Sequence, residues 1–270
     1  MNITPARRAH LKLISRKGGL ARIRIHGNPG TIDGRKRGGL NSVLTHRKEN
    51  TGFKVLQHIK KPRNSKKLAE LMGILMGDGH LGMYQISVVT NSETDVEHAY
   101  FTKNLLKQVF HLPVSIKKRA KEKALVVLLS SKEAVRMLHT KGMPLGHKIR
   151  AKMKIPQWIK DDLHYSRSFI RGLFDTDGCV FADHHFRSKK KYSYIGWTIT
   201  SNADTFILDV ERLLRNMGFL VTHRSSQNSI FLRRQKEVIK YFSLIGTHNP
   251  KHSLRYRNFC KLQGRVPKRS

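Results

Sequence analysis

Two short stretches set the pattern of the chain. Residues 68–79 read L-A-E-L-M-G-I-L-M-G-D-G, and residues 168–178 read S-F-I-R-G-L-F-D-T-D-G. In the first, Leu68, Leu71, Met72 and Leu75 recur at i, i+3, i+4 and i+7, the spacing of one buried helix face. A second stripe is small: Ala69, Gly73 and Gly77, answered in the other stretch by Ser168, Gly172 and Thr176. Small residues four apart let two helix backbones approach closely. The pattern predicts two apolar helices packed side by side, each delivering one carboxylate, Asp78 and Asp177, at the same end. Gly79 and Gly178 read as left-handed glycines that stop the helices.

Beyond each helix the pattern repeats. Strands are predicted over 84–90, 114–118 and 124–129, and helices over 93–110 and 131–141. The second half replays this order, with strands over 179–186, 192–200, 219–224 and 229–232 and helices over 203–217 and 235–245. Gly142 and Gly246 end corresponding helices. The fold class is therefore α+β: a tandem pseudo-twofold repeat of α-β-β-α-β-β-α units with curved antiparallel sheets, whose outward Lys and Arg suit them to binding DNA. The two motif helices lie on the pseudo-twofold axis. The units span 66–160 and 161–270, and a basic, Gly-rich DNA-binding arm spans 1–65. A two-stranded ribbon of such a sheet fits the major groove.

Charge narrows the function. Lys plus Arg is 53 against 18 acids, a net charge of +35 in 270 residues. Such a charge strains the compact state unless a polyanion shares it, and nucleic acid is the natural partner. The arm contains Arg35 and Arg37 and only two acids near them, Asp33 and Glu49. Its elements R-K-G-G-L-A (16–21) and R-G-G-L-N-S (37–42) form a loose repeat. Paired glycines let backbone approach phosphate, so an extended arm with short helices is expected rather than a solubilising tail. Cys179 and Cys260 have no zinc or disulfide spacing. No apolar run reaches the length of a membrane span. The glycines and the lack of an amphipathic period speak against a transit peptide.

The stretches Leu71–Gly79 and Ile170–Gly178 resemble the two motifs of the LAGLIDADG homing endonucleases. The resemblance covers roughly residues 66–268. It implies a monomeric, site-specific endonuclease that makes a staggered cut in double-stranded DNA at a long target site. It places a polar residue at each strand–helix junction to orient water, where Asn91 and Ser201 stand. It also adds the main-chain carbonyls of Gly77 and Thr176 as metal ligands.

The chemistry itself asks for similar groups. Phosphodiester hydrolysis needs cations on the developing charge, and carboxylates can hold two metals. Mg²⁺ (or Mn²⁺) prefers oxygen ligands, and Asp78 and Asp177 fit. Asp175 lies on another side of its helix and is read as non-catalytic. A basic group near each scissile phosphate would stabilise charge. Lys148 and Lys251 hold corresponding places after the last helix of each unit, with Lys152 and Lys154 as rivals. The longer second hairpin offers Arg187, Lys189, Lys190 and Lys191 for DNA contact. Lys117, Arg119, Arg224 and Arg233 add to the sheet surfaces. His184 and His185 lack a third metal ligand and read as groove contacts.

Two rival functions use the same surface: an RNA-binding maturase of its host intron, and a catalytically silent DNA-binding regulator. Met1 and the Arg269-Ser270 end lack intein junction residues, so a free-standing protein is expected, encoded in an intron or as a separate gene. The expected location is a prokaryotic cytoplasm and nucleoid, or an organelle, without a secretion signal.

Overall fold

The computed structural model describes residues 4–26, 30–49, 59–120, 122–148, 153–187 and 190–262. The chain divides into two compact units, Met1–Val55 and Leu56–Ser270.

The first unit corrects the expectation of an extended arm. It holds two long helices, α1 (Pro5–His26) and α2 (Ile32–Glu49). Ala, Arg, Lys and Leu dominate α1, and Arg, Lys and Leu recur through α2; all are strong helix formers. Their helical preference outweighs the glycine pairs, which sit inside the helices. Among the described residues no side chain of α2 is buried. A Cβ added at Gly18, Gly19, Gly38 or Gly39 would meet nothing within 4 Å. Leu11, Ile14, Leu20, Leu40 and Leu44 are all exposed.

The second unit begins with α3 (Lys66–Gly77), whose first turn is capped by Ser65 accepting from the Leu68 amide at 3.2 Å. Then follow β1 (Gly79–Leu81), β2 (Gln85–Asn91), α4 (Val96–Phe110), β3 (Ser115–Lys118), β4 (Ala124–Ser130) and α5 (Lys132–Thr140). A short α6 (Gln157–Lys160) leads into α7 (Leu163–Asp177), which is capped by Asp162. The order is then replayed in β5 (Gly178–Arg187), β6 (Lys190–Thr200), α8 (Asp204–Asn216), β7 (Thr222–Arg224), β8 (Ser229–Leu232) and α9 (Gln235–Leu244). A further helix, α10 (Pro250–Leu262), follows. The periodicity did not reveal β1, α6 or α10, each short or weakly patterned.

Each half contributes one four-stranded antiparallel sheet, ordered β1-β2-β4-β3 and β5-β6-β8-β7. One face of each sheet carries the core. Ile86, Val88, Val127 and Leu129 are buried in the first, and Val180, Trp197, Ile230 and Leu232 in the second. Phe174 of α7 stacks on Trp197 with ring centroids 5.1 Å apart.

The helices α3 and α7 pack backbone to backbone through the two small stripes. A Cβ on Gly73 would lie 2.1 Å from the Phe169 carbonyl, and one on Gly172 would lie 2.1 Å from the Glu70 carbonyl. At Gly77 the neighbour is a side chain, the hydroxyl and Cβ of Thr176. Gly73→Ala or Gly172→Ala is therefore expected to lower stability by about 1–3 kcal/mol or more, read from denaturant melts. A melt equal to wild type would show that the helices can separate without cost.

The helix stops differ from what the sequence suggests. Gly178 has φ −90°, and Gly79 is absent from the left-handed glycines. Both are there for space instead. A Cβ on Gly79 would sit 2.4 Å from the Leu75 Cα, and one on Gly178 would sit 2.3 Å from the Phe174 carbonyl. The chain must turn tightly over its own last helical turn to enter β1 and β5. Gly142 and Gly246, which the sequence marks only as corresponding helix ends, adopt positive φ, 102° and 72°.

Candidate active site

The packing of α3 on α7 brings their last residues together. Asp78 follows the final turn of α3, and Asp177 is the last residue of α7. A Cβ on Gly77 would come within 3.3 Å of the Asp177 carboxyl carbon. The two carboxylates thus share one end of the helix pair. Burial, and then the Asp78 charge, push Asp177 up to about 7, against the pull of Lys148. Asp78 keeps an open face to solvent. Even so, the protein mass around its carboxyl raises it, against the pull of Lys148 and Lys251 and with a push from Asp95. Two acids raised side by side mark a place where negative charge lacks enough compensation.

The two lysines reach this end by different routes. Lys148 donates to the carbonyls of Met76 (3.0 Å), Leu75 (3.3 Å) and Gly77, where the α3 dipole is negative. Burial depresses its pKa, while Asp177 and Asp78 oppose that shift. Lys251 leaves the start of α10 and pairs with Asp95, with Nζ 2.8 Å from Oδ1.

A cavity of about 340 Å³ opens beside Asp78. Its wall includes Asn91, Asp95, Asp175, Thr176 and Lys251, so groups from both halves line it. The side-chain oxygen of Asn91 accepts from the amides of Glu93 (2.8 Å) and Thr94 (3.1 Å) and orders the turn before α4. Ser201 stands at the equivalent junction, its hydroxyl accepting from the Ala203 amide at 3.4 Å. Both residues therefore do local structural work at their junctions. Thr176 donates its hydroxyl to the Leu173 carbonyl at 2.9 Å. Lys154 is exposed and Lys152 lies outside the described residues.

The remaining sequence candidates lie on the sheets and the first unit. Lys117 is exposed on β3, and Arg119 pairs with Glu122 at 2.8 Å in the turn beyond it. Arg224 and Arg233 flank the ring of Phe231 at 5.7 and 5.0 Å, above the outer face of the second sheet. Phe181, Tyr194 and Gly196 belong to the same surface depression. Arg35 and Arg37 are exposed on α2. Lys189 lies outside the described residues, as do the side chains of His184, His185, Arg187, Lys190 and Lys191.

A buried polar network was not foreseen. Glu70 of α3 takes a two-pronged hydrogen bond from Arg171 of α7, at 2.9 and 2.8 Å, and a further one from His248. Burial works against the Glu70 charge, but the bonds from Arg171 and His248 prevail and hold it low. Asp175 accepts from the Thr247 hydroxyl and from the His248 amide at 2.9 Å. Burial pushes Asp175 up to about 7. His98 lies 4.0 Å from Asp175, and burial lowers it to about 4, so it is neutral at physiological pH. Among the described residues, Glu70, Asp175 and His248 form one group whose ligand atoms all lie within 4.8 Å of one another. In that group Arg171 already supplies the positive charge, and each carboxylate is already hydrogen-bonded. One sequence signal was available: Glu70 and Arg171 are opposite charges set in two apolar helices expected to pack.

Residues 164–246 match the family model of the LAGLIDADG-like domain. The chain carries a LAGLIDADG-like domain. The first half has the same fold, as its sheet order and helix order show. The crystal structure of the I-LtrWI LAGLIDADG homing endonuclease bound to target DNA aligns with a TM-score of 0.51 at 13% identity, over 73% of this chain and 89% of that one. At that identity the likeness is one of fold. Over 209 residues the chain is 28% identical to the tRNA-splicing ligase RtcB of Methanopyrus kandleri, covering 69% of this chain and 20% of that protein. Over 215 residues it is 26% identical to the ribonucleoside-diphosphate reductase NrdEB subunit alpha of Bacillus subtilis, covering 72% of this chain and 18% of that protein. The chain spans about a fifth of the length of these curated relatives. No helix among the described residues is long and apolar enough to cross a membrane.

Proposed function

We propose that the protein is a site-specific endonuclease that cuts both strands of a DNA target with a staggered break. The observation that carries this reading is the pair Asp78 and Asp177. Each ends one of two helices packed through glycine, at the same end, with a lysine beside them, in a chain of net charge +35. The relatives argue that neither of their named activities transfers here. One stretch of this chain matches two proteins named for different reactions and makes up about a fifth of each. A match of that size to proteins named for two different reactions supports a module that carries neither of them.

The donor set suits a hard divalent cation, Mg²⁺ or Mn²⁺. Asp78 and Asp177 offer carboxylate oxygens, and Gly77 and Thr176 offer main-chain carbonyls at the helix ends, the Gly77 one shared with the Lys148 ammonium. When bound, such an ion would polarise the scissile phosphate and acidify a water. The ammonium groups of Lys148 and Lys251 stabilise negative charge on the phosphate oxygens. Asn91 and Ser201, fixed at the two junctions, hold water near the acids. Both motifs are in one chain, so a monomer suffices to cut both strands. Arg224 and Arg233, steadied on Phe231, and Lys117 contact DNA from the sheets.

The test is incubation of the wild-type protein with a DNA pool that includes the flanks of its own gene. The expected result is fragments with matching overhangs in Mg²⁺ and binding without cutting in Ca²⁺. DNA bound but intact in Mg²⁺ and Mn²⁺ would favour a silent regulator, and selective binding of folded RNA would favour a maturase.

The first unit serves as an added DNA-binding arm. Its helices expose their basic side chains and leave the glycine pairs open. Deleting residues 1–55 is expected to leave the second unit folded and to weaken DNA binding. The slope of log K against log salt should become shallower by several units, at about 0.9 for each phosphate no longer neutralised. An unchanged slope would leave the arm without a role in DNA binding.

A further inference from the structure

We infer that Asp95 and Asn249 are positioning residues that draw Lys251 of the second half into the pocket of Asp78 in the first half, and so make the two half-sites unlike. This inference rests on the nuclease reading above.

Asp95 occupies the N-cap position of α4, where a carboxylate ordinarily accepts from its own helix. Here it makes no such bond. Asn91 orders that turn instead, which leaves the Asp95 carboxylate facing the other half of the molecule. The Lys251 ammonium sits 2.8 and 3.1 Å from its two oxygens. Thr94 donates to Oδ2 at 2.8 Å and Asn249 donates to Oδ1 at 2.7 Å. Asp95 is 7% exposed and Asn249 1%.

Asn249 fixes the same lysine from its backbone. Its side-chain oxygen accepts from the Lys251 amide at 3.1 Å. Its side-chain nitrogen also donates to the Asp175 carbonyl at 2.9 Å, beside Thr176. The lysine is therefore held at both ends across the junction of the two halves. An ammonium has three donors, and two oxygens of one carboxylate leave it able to donate into the pocket.

The other half lacks this device. Gly146 stands where Asn249 does, and Ala203 holds the N-cap position of α8 that Asp95 holds in α4. Lys148 is held instead by the carbonyls at the end of α3. Loss of Asp95 should therefore affect one strand of the DNA and not the other.

The experiment is a strand-resolved cleavage assay on a plasmid carrying the site that the wild type cuts, with Asp95→Asn, Asp95→Glu, Lys251→Ala and the double variant Asp95→Asn/Lys251→Ala. Asp95→Asn is nearly isosteric, and melting curves run alongside. One strand is expected to slow by about 10²-fold, as for a misplaced group, so nicked circles accumulate with every break on the other strand. Asp95→Glu should recover most of the loss, and the double variant should be no slower than Lys251→Ala alone. Equal slowing of both strands by Asp95→Asn, or a double variant much slower than Lys251→Ala, would overturn this inference alone. A wild type that binds DNA and cuts neither strand would overturn the nuclease reading and this inference with it.

Discussion

Replacing Arg171 by Leu should cost about 3–5 kcal/mol of stability, the usual cost of removing one partner of a buried ion pair. The Glu70 side chain is 5% exposed and the Arg171 side chain 21%. Arg171 also donates to the Ile245 carbonyl at 3.2 Å, so it ties α3 to the end of α9. Without it, the Glu70 charge is left in an apolar helix interface with only His248 against it. The double change Glu70→Leu/Arg171→Leu should be milder than the single one, because it leaves no uncompensated charge. Denaturant melts decide this. A single variant within about 0.5 kcal/mol of wild type would mean that water reaches Glu70 freely and the pair is a surface pair in energetic terms.

Much of the fold was legible because its signals are local. The stripes Ala69-Gly73-Gly77 and Ser168-Gly172-Thr176 specify close packing whatever surrounds them, and the helices meet there. The acids lie where the apolar periodicity stops. Lys148 and Lys251 were singled out by their equivalent places in the two halves, and each contacts groups at the acids' end of the helix pair. What failed was long-range or a balance of local preferences. Nothing near Asp95 in the sequence says that its carboxylate turns to Lys251 rather than to its own helix. The pairing of Glu70 with His248 depends on where the loop after α9 returns. In α1 and α2 the glycine pairs suggested extended chain, but the flanking Arg, Lys and Leu, with Ala in α1 alone, favour helix more strongly. At Gly79 and Gly178 the choice of glycine was read as a backbone angle, whereas the constraint is space over the preceding turn.

Asp78→Asn or Asp177→Asn should lower double-strand cleavage by at least about 10²-fold, the scale of losing a charge that stabilises the transition state. Asparagine keeps the shape and polarity of aspartate but removes the charge that would hold a cation. DNA binding in Ca²⁺ should survive. It can tighten, since a carboxylate that faces phosphate without a cation is repulsive. Folding should hold as well, because each acid lies at a helix end and not in the packed stripe. Burial already raises both acids, so removing either charge relieves strain in the metal-free protein.

The most direct measurement of the central claim sets the wild type beside Asp78→Asn and Asp177→Asn on DNA carrying the site that the wild type cuts. DNA ends are read in Mg²⁺, with a gel shift in Ca²⁺ and a melting curve for each protein. The expected result is staggered ends from the wild type, and bound but uncut double strands from both variants with unchanged melts. Cleavage by either variant at the wild-type rate would contradict the account, as would loss of cleavage that comes only with a collapsed melting transition.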